Sequence, residues 1–205
     1  MKKNRKKFKS LAASDLHGES KLAKKLAETA QKEKVDLVIL CGDIVDFRET
    51  KDILKPFKDR DQKVIILPGN WESLGTTELM AEFYGVKNIH GYSLKYDNLG
   101  IFGAGGAQGP GPGNISESEI WKTLEKAHAN LKGIEKKIMV THSHPSGSLS
   151  EFSGIPGSKA ITKAINKFKP DLLLHGHIHE AEGAQEMIGK TRVINVGRNG
   201  AIIEI

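Results

Sequence analysis

Short apolar runs recur along this chain, and five of them stop at a loop bearing aspartate, histidine or asparagine. Residues 8–13 lead into Asp15-Leu16-His17, and residues 36–40 (DLVIL) into Gly42-Asp43-Ile44-Val45-Asp46. Residues 63–67 (KVIIL) lead into Gly69-Asn70-Trp71-Glu72. Residues 137–141 (KIMVT) precede His142-Ser143-His144-Pro145, and residues 171–175 (DLLLH) open onto Gly176-His177-Ile178-His179. Unbroken apolar runs of this length are what strands buried on both faces require. Between them the spacing turns helical: over residues 20–32, Leu22, Ala23, Leu26, Ala27 and Ala30 share one helical face. The same reading predicts helices over 76–84, with Gly85 as cap, over 117–131 and over 158–168. Ser116 and Glu119 have the spacing of a capping box. A short helix over 50–57 is expected to be ended or kinked by Pro56. Residues 93–96 and 99–102 read as a hairpin, and 182–188, 191–196 and 201–205 as short closing strands. Strands alternating with helices make an α/β fold.

The chain has 205 residues, enough for one well-filled core and short for two. The expected layout is a basic N-terminal extension, residues 1–7, and one domain over 8–205. No apolar run approaches the roughly 18–20 residues of a membrane span, and no secretory signal is expected, which points to the cytoplasm. Cys41 is the only cysteine, so an intramolecular disulfide and a cysteine-based zinc cluster are excluded. At a strand end it reads as a small buried hydrophobe. The formal charge of +6 sits in the leader, because Lys2, Lys3, Arg5, Lys6, Lys7 and Lys9 precede any acid. After Lys9 the charges balance, 25 basic against 25 acidic. Any attraction for nucleic acid read from composition therefore rests on that leader alone.

In open α/β sheets ligands bind outside the carboxyl ends of the strands, so the five loops should converge. Six of the eight histidines fall in them: 17, 142, 144, 175, 177 and 179. Imidazole with carboxylate suits zinc, manganese, iron, nickel or cobalt. The donors outnumber what one ion needs, whereas two ions about 3.5–4 Å apart with a shared carboxylate would use them.

The order D-x-H, G-D-x-x-D, G-N-x-E, T-H and G-H-x-H resembles that of the calcineurin-like metallophosphoesterases, from Phe8 to Ile205. That resemblance implies an α/β fold, a four-layer α-β-β-α sandwich of two mixed sheets flanked by helices. It implies two divalent metal ions, manganese foremost, with nickel, zinc, iron or cobalt as the others. Asp15, His17, Asp43 and His179 would hold one ion. Asp43 would bridge to a second, held also by Asn70, His142 and His177. The implied activity is hydrolysis of a phosphate ester, a phosphodiester by preference, through a metal-bridging hydroxide. Asp43, Asn70 and His142 form its catalytic core. Asn70, Arg48, Arg198 and His144 are candidates for substrate contact. His175 reads as a strand-end core residue.

One position departs from the family pattern. Where many members carry a histidine acid, oriented by the second Asp of G-D-x-x-D, this chain has Trp71. Indole donates a hydrogen bond but supplies no proton near neutral pH. Its N–H is expected on Asp46 or a substrate oxygen, or else the ring simply packs. Two other readings stay open: a non-catalytic scaffold on this fold, and a nuclease that uses the basic leader. Residues 103–114 (GAGGAQGPGPGN) lack the G-K-[ST] of a phosphate loop and read as a flexible loop bordering the site. Trp121 reads as core.

Overall fold

The structure, a computed structural model, describes residues 7–46 and 52–205. Strands β1 (Lys9–Ala13), β2 (Leu37–Leu40), β3 (Val64–Ile66) and β4 (Lys87–Asn88) run parallel in one sheet. The last strand, β11 (Ala201–Glu204), pairs antiparallel with β1 at its edge. The second sheet has six strands. Its edge is the antiparallel hairpin of β5 (Ser93–Tyr96) and β6 (Leu99–Ala104). Parallel to β6 follow β7 (Lys136–Thr141), β8 (Leu172–His175) and β10 (Thr191–Asn195), and β9 (Gln185–Ile188) closes the far edge antiparallel to β10.

The period of two along each strand builds the layers. In β2, Leu37 and Ile39 point between the sheets, where Ile65, Ile101, Val140 and Leu174 meet them. Val38 and Leu40 point outward to Leu26 and Ala27 of α1 (Ser20–Lys32) and to Phe57 of α2 (Lys55–Lys58). Helix α3 (Leu74–Tyr84) adds Met80 and Ala81 to that layer. On the other side, α4 (Glu117–Ala129) and α5 (Lys159–Phe168) cover Phe102, Met139 and Leu173. The result is the expected four layers, two mixed sheets between two layers of helices. Each fully buried Leu or Ile contributes about 1.5–3 kcal/mol, so the apolar runs explain the strands.

Several local signals hold. Ser116 and Glu119 form the reciprocal capping box of α4, and Gly85 ends α3 in the left-handed conformation at φ 60°. Trp121 stacks on Phe168 at 5.6 Å with its ring planes 11° apart, a core contact as expected. Pro56 does the reverse of what was expected: it opens α2 instead of ending it. In the first turn its missing N–H has no intrahelical acceptor to lose, and its fixed φ suits the helix. The two-residue β4 is too short to leave a periodic signal. Among the described residues, no helix is long and apolar enough to cross a membrane.

Candidate metal centre

Strands β1, β2 and β3 point one way in their sheet, and β7 and β8 do so in theirs. The five polar loops turn back sharply as they leave these strands. Asp15, His17, Asp43 and His177 all have left-handed backbones, with φ of 59°, 45°, 51° and 71°. Such conformations cost about 1–3 kcal/mol each and persist only where neighbours hold them. Here the loops hold one another. The Asp15 N–H donates to the Gly42 carbonyl at 3.0 Å, and the His17 N–H to that of Asp43 at 2.9 Å. The His177 N–H donates to the Asp15 carboxylate at 3.1 Å, and the Trp71 N–H to Asp43 Oδ1 at 2.9 Å. The Gly176 N–H reaches the His142 carbonyl at 3.1 Å and ties the last two loops together.

This lattice gathers two groups of donors. Asp15, His17 and His179 offer ligand atoms within 4.8 Å of one another, and so do Asp43, His142 and His177. His17 Nε2 and His179 Nε2 face each other at 3.3 Å. Asp43 Oδ2 lies 3.4 Å from His142 Nε2 and 3.8 Å from His17 Nε2, between the two groups. Asn70 Oδ1 is 3.0 Å from His142 Nε2, which adds a neutral oxygen to the second group. All seven expected ligands thus meet in one place. The other ring nitrogen of His142 lies 2.8 Å from the Cys41 carbonyl, a contact that only an N–H can make favourably. That bond keeps a proton on Nδ1, so that Nε2, on the side of Asp43 and Asn70, becomes the ligating nitrogen once its own proton leaves.

The charge states fit a divalent ion. Burial pushes Asp43 up, but the His142 charge and hydrogen bond outweigh it and hold the carboxyl down to about 2. Burial likewise opposes the His179 hydrogen bond and the His142 charge at Asp15, whose pKa still ends below its ordinary value. Burial lowers His17, and lowers His177 to about 4, so both rings are neutral donors at pH 7. Two rings go the other way: burial pulls His142 down, but Asp43 and Asp15 push it up to about 9, and the Asp15 hydrogen bond raises His179 above its ordinary value. Ionised carboxylates and neutral imidazoles are the forms a metal requires, so His142 and His179 are the ligands with a proton to give up.

Two supports carried no role in the sequence reading. Glu72 is 1% exposed, and its Oε1 accepts from the Gly69 N–H at 2.9 Å and the Ile44 N–H at 3.2 Å. It therefore fastens the Asn70 loop to the Asp43 loop. Burial and the nearby Asp43 push its pKa up to about 7. A carboxylate placed shortly after a buried strand was the available signal. The second support is the glycine-rich loop. Its Gly113 N–H donates to the Asn70 carbonyl at 3.1 Å, and a Cβ at Gly113 would lie 1.9 Å from the Gly69 carbonyl oxygen. A Cβ at Gly69 would in turn lie 1.9 Å from Asp43 Oδ1. The loop expected to border the site does so as a backbone cradle beneath Asn70.

The remaining candidates scatter. Arg198 is paired with Glu19 beside the His17 and His179 half. His144 is 1% exposed, with Nε2 on the Ile155 carbonyl at 3.2 Å and Nδ1 buried without a partner. Its ring stacks on that of His177, with the centroids 6.4 Å apart. His175 is buried, as expected, and burial depresses its pKa to about 3. Cys41 is fully buried, and burial raises its thiol. Trp71 is 38% exposed and stands edge-on to His17 at 5.2 Å. The indole thus packs against a candidate ligand. Arg48, and residues 1–6 of the basic extension, lie outside the described residues.

Known proteins place this arrangement. The chain superposes on the crystal structure of TT1561 from Thermus thermophilus with a TM-score of 0.77. The two share 18% identity over 95% of this chain and 91% of that one. A structure described as a novel archaeal phosphodiesterase aligns with a TM-score of 0.55 and 18% identity, over 96% and 99% of the two chains. GAP50, described as the anchor in the inner membrane complex of Plasmodium, aligns at 0.60 with 12% identity, over 93% of this chain and 71% of that one. At such identities the likeness is one of fold. No curated protein sequence matches. The family model for calcineurin-like phosphoesterases matches residues 8–181, most of the chain, and with the motifs in their order the chain belongs to that family.

Proposed function

We propose that this chain is a dinuclear metal-dependent phosphodiesterase. The observation that carries the reading is the place of Asp43, whose Oδ2 lies within 4 Å of a histidine from each donor group. Asp15, His17 and His179 hold one ion, Asn70, His142 and His177 hold the other, and Asp43 is shared. Bound there, two divalent ions supply Lewis-acid neutralisation of the phosphate oxygens and a nucleophile at neutral pH. Manganese is the first choice, with nickel, zinc, iron and cobalt behind it. The cytoplasm is the proposed compartment.

The chain's own groups do the rest. The Asn70 amide offers a hydrogen-bond donor beside its ligating oxygen, where it can orient a phosphate oxygen. Arg198 lies next to the open half but is held by Glu19, so it is available only if that pair yields. Trp71 shields His17 and supplies no proton. General acid help commonly contributes about 10² to 10⁴ in rate, so substrates with good leaving groups are favoured. Aryl phosphodiesters should be cleaved faster than alkyl monoesters.

A panel crossing manganese, nickel, zinc and magnesium with mono-, di- and cyclic phosphoesters tests the reading. Hydrolysis of bis-nitrophenyl phosphate that depends on added metal and outpaces alkyl monoesters supports it. No turnover with any pair rejects it. The scaffold reading, favoured only by Trp71 at the place of the family's acid, then stands. Trp71→His sharpens the point, since a restored acid should raise the rate on alkyl esters by about 10².

A further inference from the structure

A large concavity lies at the pole opposite the metal centre, where strands of both sheets begin. It is a cleft of about 790 Å³, and it shares a wall of Asp61, Gln62, Lys63 and Tyr96 with a second cleft of about 470 Å³. Together they form a trough. Lys7, Lys34, Arg60, Lys63 and Lys136 line its first half against Asp36, Asp61 and Asp97. The second half adds Lys58, Lys87 and Lys95 and no further acid. Lys34, Lys63, Lys87, Lys95 and Lys136 are exposed, and none makes an ion pair among the described residues. The even charge count after Lys9 therefore conceals a basic pole.

The trough also offers aromatic rings. Phe8 and Tyr96, both half-buried, meet at 5.2 Å with their planes 43° apart. A basic groove with aromatic faces is how single strands are held without strong sequence preference. An acidic peptide would use the lysines but has no need of the rings. We propose that this trough is a non-catalytic binding site for single-stranded nucleic acid. Its lysines follow the phosphates, and Tyr96 and Phe8 give a base a face to stack on. The five residues of β1, about 3.3 Å each, put this site roughly 16 Å or more from the reacting end. A strand bound here tethers the protein and is not the scissile ester. The inference does not depend on the proposed activity.

The test is fluorescence anisotropy of the full chain with a labelled oligothymidylate of about 12 nucleotides, a length within the usual range for such grooves, across a salt series. Reversing three exposed lysines together (Lys34→Glu, Lys63→Glu, Lys136→Glu) should weaken binding at least tenfold. It should also flatten the salt slope by about 2, since each lost phosphate contact on a single strand contributes about 0.7. Tyr96→Leu should cost about fivefold or more without changing the slope, the mark of lost stacking. Melting temperature and bis-nitrophenyl phosphate hydrolysis should stay unchanged in the triple variant. Unchanged affinity in that variant overturns the proposal. So does loss of binding on removing residues 1–6 while the triple variant still binds. Polyglutamate competing as well as the oligonucleotide, with Tyr96→Leu silent, would make the trough a site for acidic protein and also overturn it.

Discussion

His142 and His179 are the same residue type at the ends of neighbouring loops, yet they occupy opposite environments. The His142 side chain is fully buried and tied to the Cys41 carbonyl, while that of His179 is 48% exposed at the start of a single 3₁₀ turn. The half-site around His142 is part of the core, whereas the half-site around His179 is a rim. The difference teaches that the two ions need not be held with equal firmness although their donor sets look alike. A buried donor is positioned by packing before any ion arrives, and a rim donor is positioned largely by what it binds.

The largest effect should come where the halves meet. Asp43→Asn keeps an oxygen for the Trp71 N–H but removes the shared charge. Hydrolysis of bis-nitrophenyl phosphate should fall by about 10³ or more, with circular dichroism unchanged. If activity persists, Asp43 is not shared and the two-ion reading fails. Next, His142→Ala strips Asp43 of its buried counter-charge in the metal-free protein and should cost about 3–5 kcal/mol in denaturant unfolding. His179→Ala, at the rim, should cost under about 1 kcal/mol while still weakening metal binding. Equal losses would erase the contrast between the halves.

Much of this was legible in the sequence, for a physical reason. Asp15, His17, Asp43, Asn70, His142, His177 and His179 follow strands whose apolar runs are unmistakable. Motif order alone therefore brought them together. What could not be read were contacts made by backbone atoms. The Cys41 carbonyl that orients His142 belongs to a residue whose side chain says nothing about it. The partner of Arg198, Glu19, lies 179 positions away, and no local pattern links them. The trough escaped because its lysines come from separate segments whose charges cancel in a count.

Acidity acts on both halves. In the metal-free protein the raised pKa of His142 contributes stability that is full below its unfolded value of 6.5 and lost as pH climbs through about 9. Asp43, held down to about 2, contributes stability present above 3.8 and lost as pH falls toward 2. Because the His142 proton must leave before an ion binds, affinity at the buried half should rise about tenfold per pH unit between 6.5 and 9. At the rim His17 adds no such dependence, but the Asp15 hydrogen bond raises His179, so that half has a proton to lose as well. Calorimetric metal titrations at several pH values should show affinity rising with pH at both halves. An affinity at the buried half that does not change with pH would contradict the proton count at His142.

The smallest effect concerns Glu72, which serves both loops. Its pKa is raised from 4.5 to about 7, so this group binds more protons in the folded protein over that interval and its own contribution to stability declines as pH rises through it. Glu72→Gln should remove that contribution and shift the slope of stability against pH upward by at most about 1.4 kcal/mol per pH unit, in urea melts of the metal-free protein. A slope identical to that of the parent protein would show that the carboxyl is not titrating there.

The cradle of glycines beneath Asn70 bears on how this chain tolerates change. Residues 108–110 are exposed and remote from the strands, the kind of segment usually chosen for a tag, an epitope or a shortened variant. Immediately after them, a Cβ at Gly111 would lie 2.3 Å from the Asn70 carbonyl oxygen, and one at Gly113 would collide with the main chain of Gly69. A deep mutational library should therefore find a tolerant crest set directly against an intolerant root. Any insertion meant to spare the metal centre must end before that root begins.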